Sequence, residues 1–400
     1  MHAESRKAFN ASFSPDTYQS FLSAIERDFP GQLDFRVAES PVFVDSAFRD
    51  KLLDACSSIM DAVAAPDFLA RTDRAIPPDQ RVPGENRHTS FFAVDFAICR
   101  GASGELEPRL IELQGFPSVF GYQLYLSRLY QKRYPFLESM NFTFSGAADE
   151  EDAFISHFGH VLLGNEDPEN VILLEIFPEK QKTRIDFEIT RQYWGVTPVC
   201  LTKIIREGRK IFYEKEGRRI QVRRIYNRLI FDDLGNFPGL KTGFSLTDDA
   251  DVTWVGHPNW FFRISKFMLP LLSGPYFPET RFLSDYGGNF PPDPENYVLK
   301  PLFSFAGSGV ELHVTADKLA AIADPENYIL QRKVTYEPVI LTNDGSKVKS
   351  EIRMLYTWPD DAEKPVLLTA LSRLSRGEMI GVRFNKDFTW VGSSAVFFER

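Results

Sequence analysis

The stretch LIELQGFPSVFGY, residues 110–122, is the part of the sequence that decides the fold. Its first half reads as a strand in which Glu112 and Gln114 alternate with apolar residues. Side chains two positions apart on a strand share a face, so both oxygen-bearing side chains point to one side. A solvated strand face is the alternative, but three aromatic residues and no lysine are poor composition for an exposed edge. The stretch therefore predicts a strand with a functional polar face.

Composition describes a protein of two or three domains. The 400 residues are 43% hydrophobic and 25% charged, and no apolar run approaches the roughly 20 residues that cross a bilayer. The N-terminal MHAESRKAFNASF lacks the apolar core of a secretory signal, and Cys56, Cys99 and Cys200 are far apart. These features predict reduced thiols and a cytoplasmic location. A net charge of -9 without a long basic run argues against nucleic-acid and membrane partners, but leaves room for a local anion pocket.

Apolar periodicity divides the chain into three regions. Residues 1–165 combine mostly helical segments up to residue 80 with a strand pair over 90–114. Residues 166–250 alternate short strands with a helix ending at Gly195, which predicts a small α/β domain. Residues 251–400 predict an α+β domain. The fold class is thus a multi-domain mixture of α+β and α/β.

Two segments of the last region carry lysines, and the second of them predicts phosphate binding. GHPNWFFRISKFMLPLLS reads as a helix carrying Lys266, and YVLKPLFSFAGSGVELHV places Lys300 on a strand before a small-residue loop and a second strand over ELHVT. Small residues let backbone N–H groups approach an anion, and a lysine adds a point charge. The loop residues concerned are Ser304, Gly307, Ser308 and Gly309. An ordinary hairpin turn is the alternative, since no GxxxxGK[ST] motif occurs.

These motifs together resemble the ATP-grasp superfamily. The resemblance implies that Lys266 and Lys300 contact nucleotide phosphates, and that backbone groups of Leu330, Gln331 and Arg332 in YILQRK pair with the adenine edge. The Glu-x-Gln strand precedes the lysines, an order that resembles the circularly permuted branch containing eukaryotic-type glutathione synthetase and glutathionylspermidine synthase. The implied fold is a permuted ATP-grasp domain with a small inserted α/β domain.

The same resemblance implies a metal site and a substrate clamp. Asp95, Glu112 and Gln114 would hold Mg²⁺, a cation that prefers oxygen ligands. The family pattern has Asn at the position of Gln114, a metal-binding Glu at that of Ser304, and often Arg at that of Ala93.

Arginines supply the implied catalytic contacts. Arg373 would grip a substrate carboxylate, and Arg353 would clamp phosphate, because a guanidinium fork matches such anions. Ordinary surface charge is the alternative for both. Arg228 is a further candidate from the middle domain, and residues 392–394 in WVGSSAVFF are predicted to form a closing loop with 304–309.

The predicted function is an ATP-dependent ligase that joins a small-molecule carboxylate to an amine through an acyl phosphate, with ATP and Mg²⁺ as cofactors. That chemistry depends on positioning and charge neutralisation more than on a nucleophile. The alternatives are a nucleotide-binding scaffold with impaired catalysis, which the family departures favour, and a phosphotransferase whose product lacks an amide. The sequence leaves a homodimer open.

Two structural expectations follow. Residues 90–114 should share a sheet with residues 340–400, and Glu112 should lie near Lys300, since groups beyond about 15 Å apart cannot share one metal–phosphate site. Asp95 and Glu112 on one face repel each other unless a cation intervenes. Replacing Glu112 by Gln is therefore expected to leave the metal-free protein at least as stable.

Overall fold

The computed structural model describes residues 1–140, 142–146, 151–304, 308–381, 385 and 387–400. The helices of this part of the chain are α1 Ala3–Ser12, α2 Pro15–Asp28, α3 Ser46–Ala64, α4 Phe68–Arg71, α5 Phe120–Arg133, α6 Phe136–Ser139, α7 Glu151–Leu163, α8 Arg184–Trp194, α9 Phe231–Gly235, α10 Asn259–Arg263 and α11 Ala316–Ala320. Its strands are β1 Val42–Val44, β2 Phe91–Arg100, β3 Leu106–Gln114, β4 Phe142–Thr143, β5 Val171–Glu175, β6 Thr197–Cys200, β7 Ile205–Glu207, β8 Lys210–Lys215, β9 Arg218–Val222, β10 Arg224–Asn227, β11 Thr253–Val255, β12 Thr280–Phe282, β13 Tyr297–Pro301, β14 Tyr328–Arg332, β15 Ile340–Leu341, β16 Lys347–Thr357, β17 Val366–Ser375 and β18 Gly392–Glu399.

An eight-stranded sheet organises the molecule. Its order is β1-β18-β17-β16-β2-β3, with β15 beside β16 and β4 beside β18. Strand β1 runs parallel to β18, whereas the other pairs are antiparallel, so the sheet is mixed. Strands β2 and β3 come from the first third of the chain, and β2 lies directly beside β16. The prediction that residues 90–114 share a sheet with the C-terminal region is confirmed.

A second sheet is wholly parallel and has the order β11-β10-β5-β6. Helix α8 connects β5 to β6, and Gly195 ends it in the left-handed conformation at φ 72°. This agrees with the α/β texture predicted for the middle region, although β11 continues the sheet past residue 250. The hairpin around Glu216 and Gly217 forms the antiparallel sheet β7-β8-β9, and both turn residues have positive φ as a two-residue hairpin turn requires.

A third small sheet has the order β12-β14-β13 and is antiparallel throughout. It holds Lys300 near the end of β13 and Gln331 in β14. The lysine and the glutamine are thereby fixed on neighbouring strands.

Aromatic side chains that are scattered along the sequence meet in the main core. Phe120 on α5 lies 5.3 Å from Phe91 on β2 and 4.9 Å from Phe158 on α7, measured between ring centroids. Helix α5 packs against β17 and β18, and α3 packs against β3 and β18. In the described part of the chain, no helix combines the length and apolarity that crossing a membrane requires.

Three sequence predictions about local structure are wrong. The helix expected around Lys266 is interrupted, because α10 ends at Arg263 and a 3-10 helix spans Lys266–Leu271. Ser265 separates the two with an extended backbone, and its hydroxyl accepts a hydrogen bond from the N–H of Phe267 at 3.1 Å. Pro270 inside the second segment also lacks the N–H that a longer helix needs.

The expected strand over ELHVT makes only one bridge, between Glu311 and Leu299. Its polar side chains bond locally instead, since Thr315 caps α11 and the Glu311 carboxylate accepts from the N–H of His313 at 2.6 Å. The third error concerns residues 392–394, which begin β18 and pair with β17 in the large sheet. They therefore form part of the scaffold and are not a closing loop.

Candidate functional site

Strand β3, which carries Glu112 and Gln114, lies at one end of the large sheet and is covered on its outer side. The N–H of Gly115, just after β3, donates to the carbonyl of Ile264 at 2.6 Å, and that of Leu110 donates to Tyr276 at 2.9 Å. A Cβ on Gly115 would lie 2.0 Å from the carbonyl oxygen of Trp260, so only glycine permits this approach. The chain from residue 260 onward is thereby held against the predicted functional strand.

A narrow cleft separates these two segments. This space, called the cleft below, is lined by residues of three segments. They are Glu112, Leu113, Gln114, Gly115, Phe116, Phe261, Ile264, Ser265, Lys266, Leu302, Phe303 and Ser304. Polar groups from β3 therefore face a lysine and a serine across an aromatic-walled space.

Lys266 closes one side of the cleft. Its ammonium lies 3.2 Å from the Glu112 carboxylate and donates to the carbonyl oxygen of Ser304 at 2.7 Å. The Lys266 side chain is 5% exposed and that of Glu112 is 25% exposed. Lys266 thus ties β3 to the segment that follows β13.

Lys300 reaches the same strand from β13. Its ammonium donates to the carbonyl of Ile111 at 2.9 Å and to the side-chain carbonyl of Gln331 at 2.6 Å. Burial lowers the pKa of Lys300 to about 8, and the nearby carboxylate of Glu112 opposes that shift. Since Ile111 directly precedes Glu112, the prediction that Glu112 and Lys300 lie close together is confirmed.

The small-residue loop is only partly described. Ser304 lies in the cleft, while Ser308 and Gly309 are exposed. Gly309 has φ 70°, and a Cβ added there would lie 2.8 Å from Cγ of Pro301. Gly307 lies outside the described residues.

The segment predicted to contact adenine lies within a sheet. Leu330, Gln331 and Arg332 belong to β14, the central strand of its sheet, and pair with β12 on one side and β13 on the other. The N–H of Arg332, for example, donates to the carbonyl of Glu279 at 2.8 Å. The adenine contact stays a prediction. The Gln331 side chain, not its backbone, touches the candidate site.

One face of the large sheet carries what we call the buried ion network, formed by Asp95, Glu351, Arg353 and Arg373. Asp95 has no exposed side-chain area, and each of its oxygens accepts from Arg353 at 2.6 Å. One of them also accepts from Arg373 at 2.8 Å, and Arg373 forms a second ion pair with Glu351. Tyr336 donates to the other oxygen of Glu351 at 2.9 Å. The network therefore links β2, β16 and β17.

Electrostatics within the network follow from burial and pairing. Burial by itself raises the pKa of Asp95, but the two guanidiniums outweigh it and hold the pKa below its ordinary value. For Glu351, burial dominates and raises the pKa despite the contact with Arg373. Both predicted catalytic arginines are thus engaged by buried carboxylates, although the Nε of Arg373 has no partner among the described residues.

Asp95, Glu112 and Gln114 do not fit the predicted Mg²⁺ site. The two carboxylates are opposite each other in the β2–β3 pair, yet Asp95 is occupied by guanidiniums and Glu112 by Lys266. The described residues contain no group of three His, Cys, Asp or Glu side chains that could hold a metal ion. The carboxylate charge that would bind a cation is thus already paired with Arg353, Arg373 and Lys266, and the Mg²⁺ site stays a prediction.

Arg228 of the middle domain borders the site. Its guanidinium donates to the carbonyl of Pro117 at 2.8 Å and lies 4.8 Å from the ring centroid of Phe116. Glu175, at the carboxyl end of β5, is buried, and burial raises its pKa to about 8 against the attraction of Arg228. The candidate from the middle domain therefore touches the segment that follows β3.

Sequence reasoning missed Glu351, Gln331 as a side-chain partner of Lys300, and Glu175. A signal existed for two of them. Glu351 is two residues from Arg353 on the same strand face, and Glu175 ends an apolar strand where parallel sheets bind ligands. No local pattern distinguishes Gln331, because its role depends on the register of β13 and β14.

Comparison with known proteins supports the fold. No protein-family model and no curated protein sequence matches the chain. Among solved structures, the apo form of a glutathione synthetase-like effector from Globodera pallida is similar, with a TM-score of 0.61 and 11% identity. The similarity covers 97% of this chain and 98% of the effector. The chain therefore has a mixed α/β, multi-domain fold of glutathione synthetase-like type.

Proposed function

We propose that this protein is an ATP-dependent ligase of the ATP-grasp type that joins a carboxylate to an amine. The observation that carries the proposal is the convergence of Lys266 and Lys300 on the Glu112 strand. The likeness to a glutathione synthetase-like effector supports the same class at the level of the fold. Arg353 and Arg373 lie on the neighbouring strands of the same sheet.

The order of the motifs supports the circularly permuted branch. Strand β3 precedes β13 by well over a hundred residues, yet the ammonium of Lys300 lies 2.9 Å from the carbonyl of Ile111 on β3. A permuted chain would place its acidic strand early in the sequence and beside the lysines in space, as here.

In the proposed reaction, ATP would transfer its terminal phosphoryl group to the acid, and attack by the amine on that acyl phosphate would release phosphate and a proton. Lys266 and Lys300 would neutralise phosphate charge, which such a transfer requires. The side chain of Arg373 is 35% exposed, so it can still meet a substrate anion. No protein nucleophile is needed.

The cleft must widen before a nucleotide can enter. Its volume is about 40 Å³, far below the roughly 300 Å³ or more of ordinary ligand sites. Lys266 holds it closed by contacting Glu112 and Ser304 on opposite walls. We infer that phosphate oxygens replace Glu112 and Ser304 as partners of the Lys266 ammonium. Lys266, which closes the empty cleft, would then bind the nucleotide phosphates.

A second candidate is a nucleotide-binding scaffold without turnover. The observation that favours it is the occupation of Asp95 by Arg353 and Arg373. Such a protein would bind nucleotide but release no ADP.

The test has two measurements on the full chain. ATP should raise the melting temperature of the wild type, and Lys300→Met should remove most of that shift because a buried phosphate contact is lost. Lys318→Met is the matched control, since Lys318 is exposed on α11. ADP release should then be followed over a panel of acids and amines.

An equal shift in both variants would refute the role of Lys300. Nucleotide binding with no ADP release for any acid and amine pair would favour the scaffold over the ligase.

A further inference from the structure

The carboxylate of Asp95, which the family resemblance implies as a metal ligand, is already paired in this chain. Both oxygens of Asp95 accept hydrogen bonds from Arg353, one accepts a third from Arg373, and the side chain is fully buried. Mg²⁺ needs lone pairs at about 2.0–2.1 Å in near-octahedral geometry. The two guanidiniums already occupy three of the roughly four lone-pair sites of this carboxylate and repel a dication.

The remaining predicted ligands do not replace it. Glu112 is paired with Lys266 at 3.2 Å, and Gln114 contributes only a neutral carbonyl. Ser304 offers a hydroxyl, and its backbone carbonyl is already bonded to Lys266. A divalent cation would therefore have to displace a lysine before finding one charged ligand.

The same side chains supply protein cations beside the cleft. Lys300 interacts electrostatically with Lys266, Glu112, Glu351 and Asp95, so the cleft and the buried ion network form one charge cluster. Asp232 also interacts with Lys266, so with every group ionised the cluster holds four cations and four carboxylates, which are Lys266, Lys300, Arg353, Arg373, Asp95, Glu112, Asp232 and Glu351. A phosphate that replaces Glu112 at Lys266 can pair with that ammonium directly, without a bound cation.

We propose that the cleft binds the phosphate chain of its nucleotide through Lys266 and the neighbouring Lys300, with no divalent cation held by Asp95. Asp95 instead neutralises Arg353 and Arg373, which lie beside its buried carboxylate. This inference rests on the proposed nucleotide site and adds that the site is metal-independent in its binding step.

Calorimetric titration of the full chain tests the inference with two probes, ATP and inorganic tripolyphosphate, each in EDTA and in MgCl₂. We expect dissociation constants that differ by less than about threefold between the two buffers. Asp95→Asn removes one negative charge, so it should bind tripolyphosphate in EDTA equally or more tightly. Asp79→Asn, at an exposed position, is the control.

Opposite results would overturn the inference. The first is wild-type binding that weakens more than tenfold in EDTA. The second is a folded Asp95→Asn variant that binds more weakly than wild type in MgCl₂ but as tightly as wild type in EDTA. The wild-type comparison needs no variant and decides the point if Asp95→Asn does not fold. Failure of the ligase proposal can be told apart from failure of this inference, because the protein would then bind the nucleotide without metal but release no ADP.

Discussion

Replacing Glu112 by Gln should destabilise the protein in the absence of any ligand. The Glu112 carboxylate lies 3.2 Å from the ammonium of Lys266, whose side chain is only 5% exposed. It is also the strongest attraction acting on the buried ammonium of Lys300. Loss of its charge leaves two buried lysines less compensated, and an uncompensated buried charge is costly.

The magnitude can be bounded from the geometry. At an effective dielectric constant of about 20, two unit charges at this distance attract by roughly 5 kcal/mol. Partial exposure of Glu112 and the desolvation already spent on the pair reduce this, and Gln keeps one acceptor oxygen. We expect a loss of about 1–3 kcal/mol in the free energy of unfolding. For a chain of this length that lowers the melting temperature by about 1–4 °C.

A double-mutant cycle isolates the interaction. Melting temperature and urea unfolding should be measured for Glu112→Gln, Lys266→Met and the double variant, with Glu105→Gln as an exposed control. The double variant should lose less unfolding free energy than the two single variants lose in sum, because each single substitution removes the same ion pair. Additivity within about 0.3 kcal/mol, or a stabilised Glu112→Gln protein, would refute the argument.

Two further predictions follow from the same site. The folded-state pKa of Lys300 is about 8, below its ordinary value of 10.5, so between these values the unfolded chain binds more protons and stability rises with pH. Urea unfolding at pH 8 and 9.5 should show that Lys300→Met removes this contribution relative to wild type. An unchanged dependence of the unfolding free energy on pH would contradict the assignment. Gly115→Ala should lower the free energy of unfolding by several kcal/mol, because the new Cβ would lie 2.0 Å from the carbonyl oxygen of Trp260. Gly235→Ala is the control, since no atom lies within 4 Å of its new Cβ, and it should change the melting temperature little. Equal effects of the two substitutions would refute the close packing at Gly115.

The Glu112 prediction has the opposite sign from the one that the sequence suggests. Read alone, the sequence places Asp95 and Glu112 on one face, where two carboxylates repel. The structure confirms that they are opposite each other, but it gives each of them a cationic partner, Arg353 for Asp95 and Lys266 for Glu112. The repulsion is therefore replaced by attraction.

Local pattern determined much of the secondary structure. An apolar run is sufficient to locate β2, period-two alternation locates the end of β3, and Glu216-Gly217 locates the β8–β9 hairpin, because these signals act between near neighbours. Glycine after an amphipathic run likewise fixed the end of α8 at Gly195. The motif order 112, 266, 300 further indicated which distant segments had to meet.

Only the tertiary structure decided which charges are neutralised by which partners. The ion pair between Arg353 and Asp95 joins residues 258 positions apart, and no local pattern encodes that register. The same holds for residues 392–394, which resemble a flexible loop in composition but complete the large sheet between β17 and β1. Strand pairing fixes where each side chain points, and burial then makes every pairing or its absence costly. For this reason the sequence could propose candidate site residues, while the fold determined that Asp95 is paired with arginines.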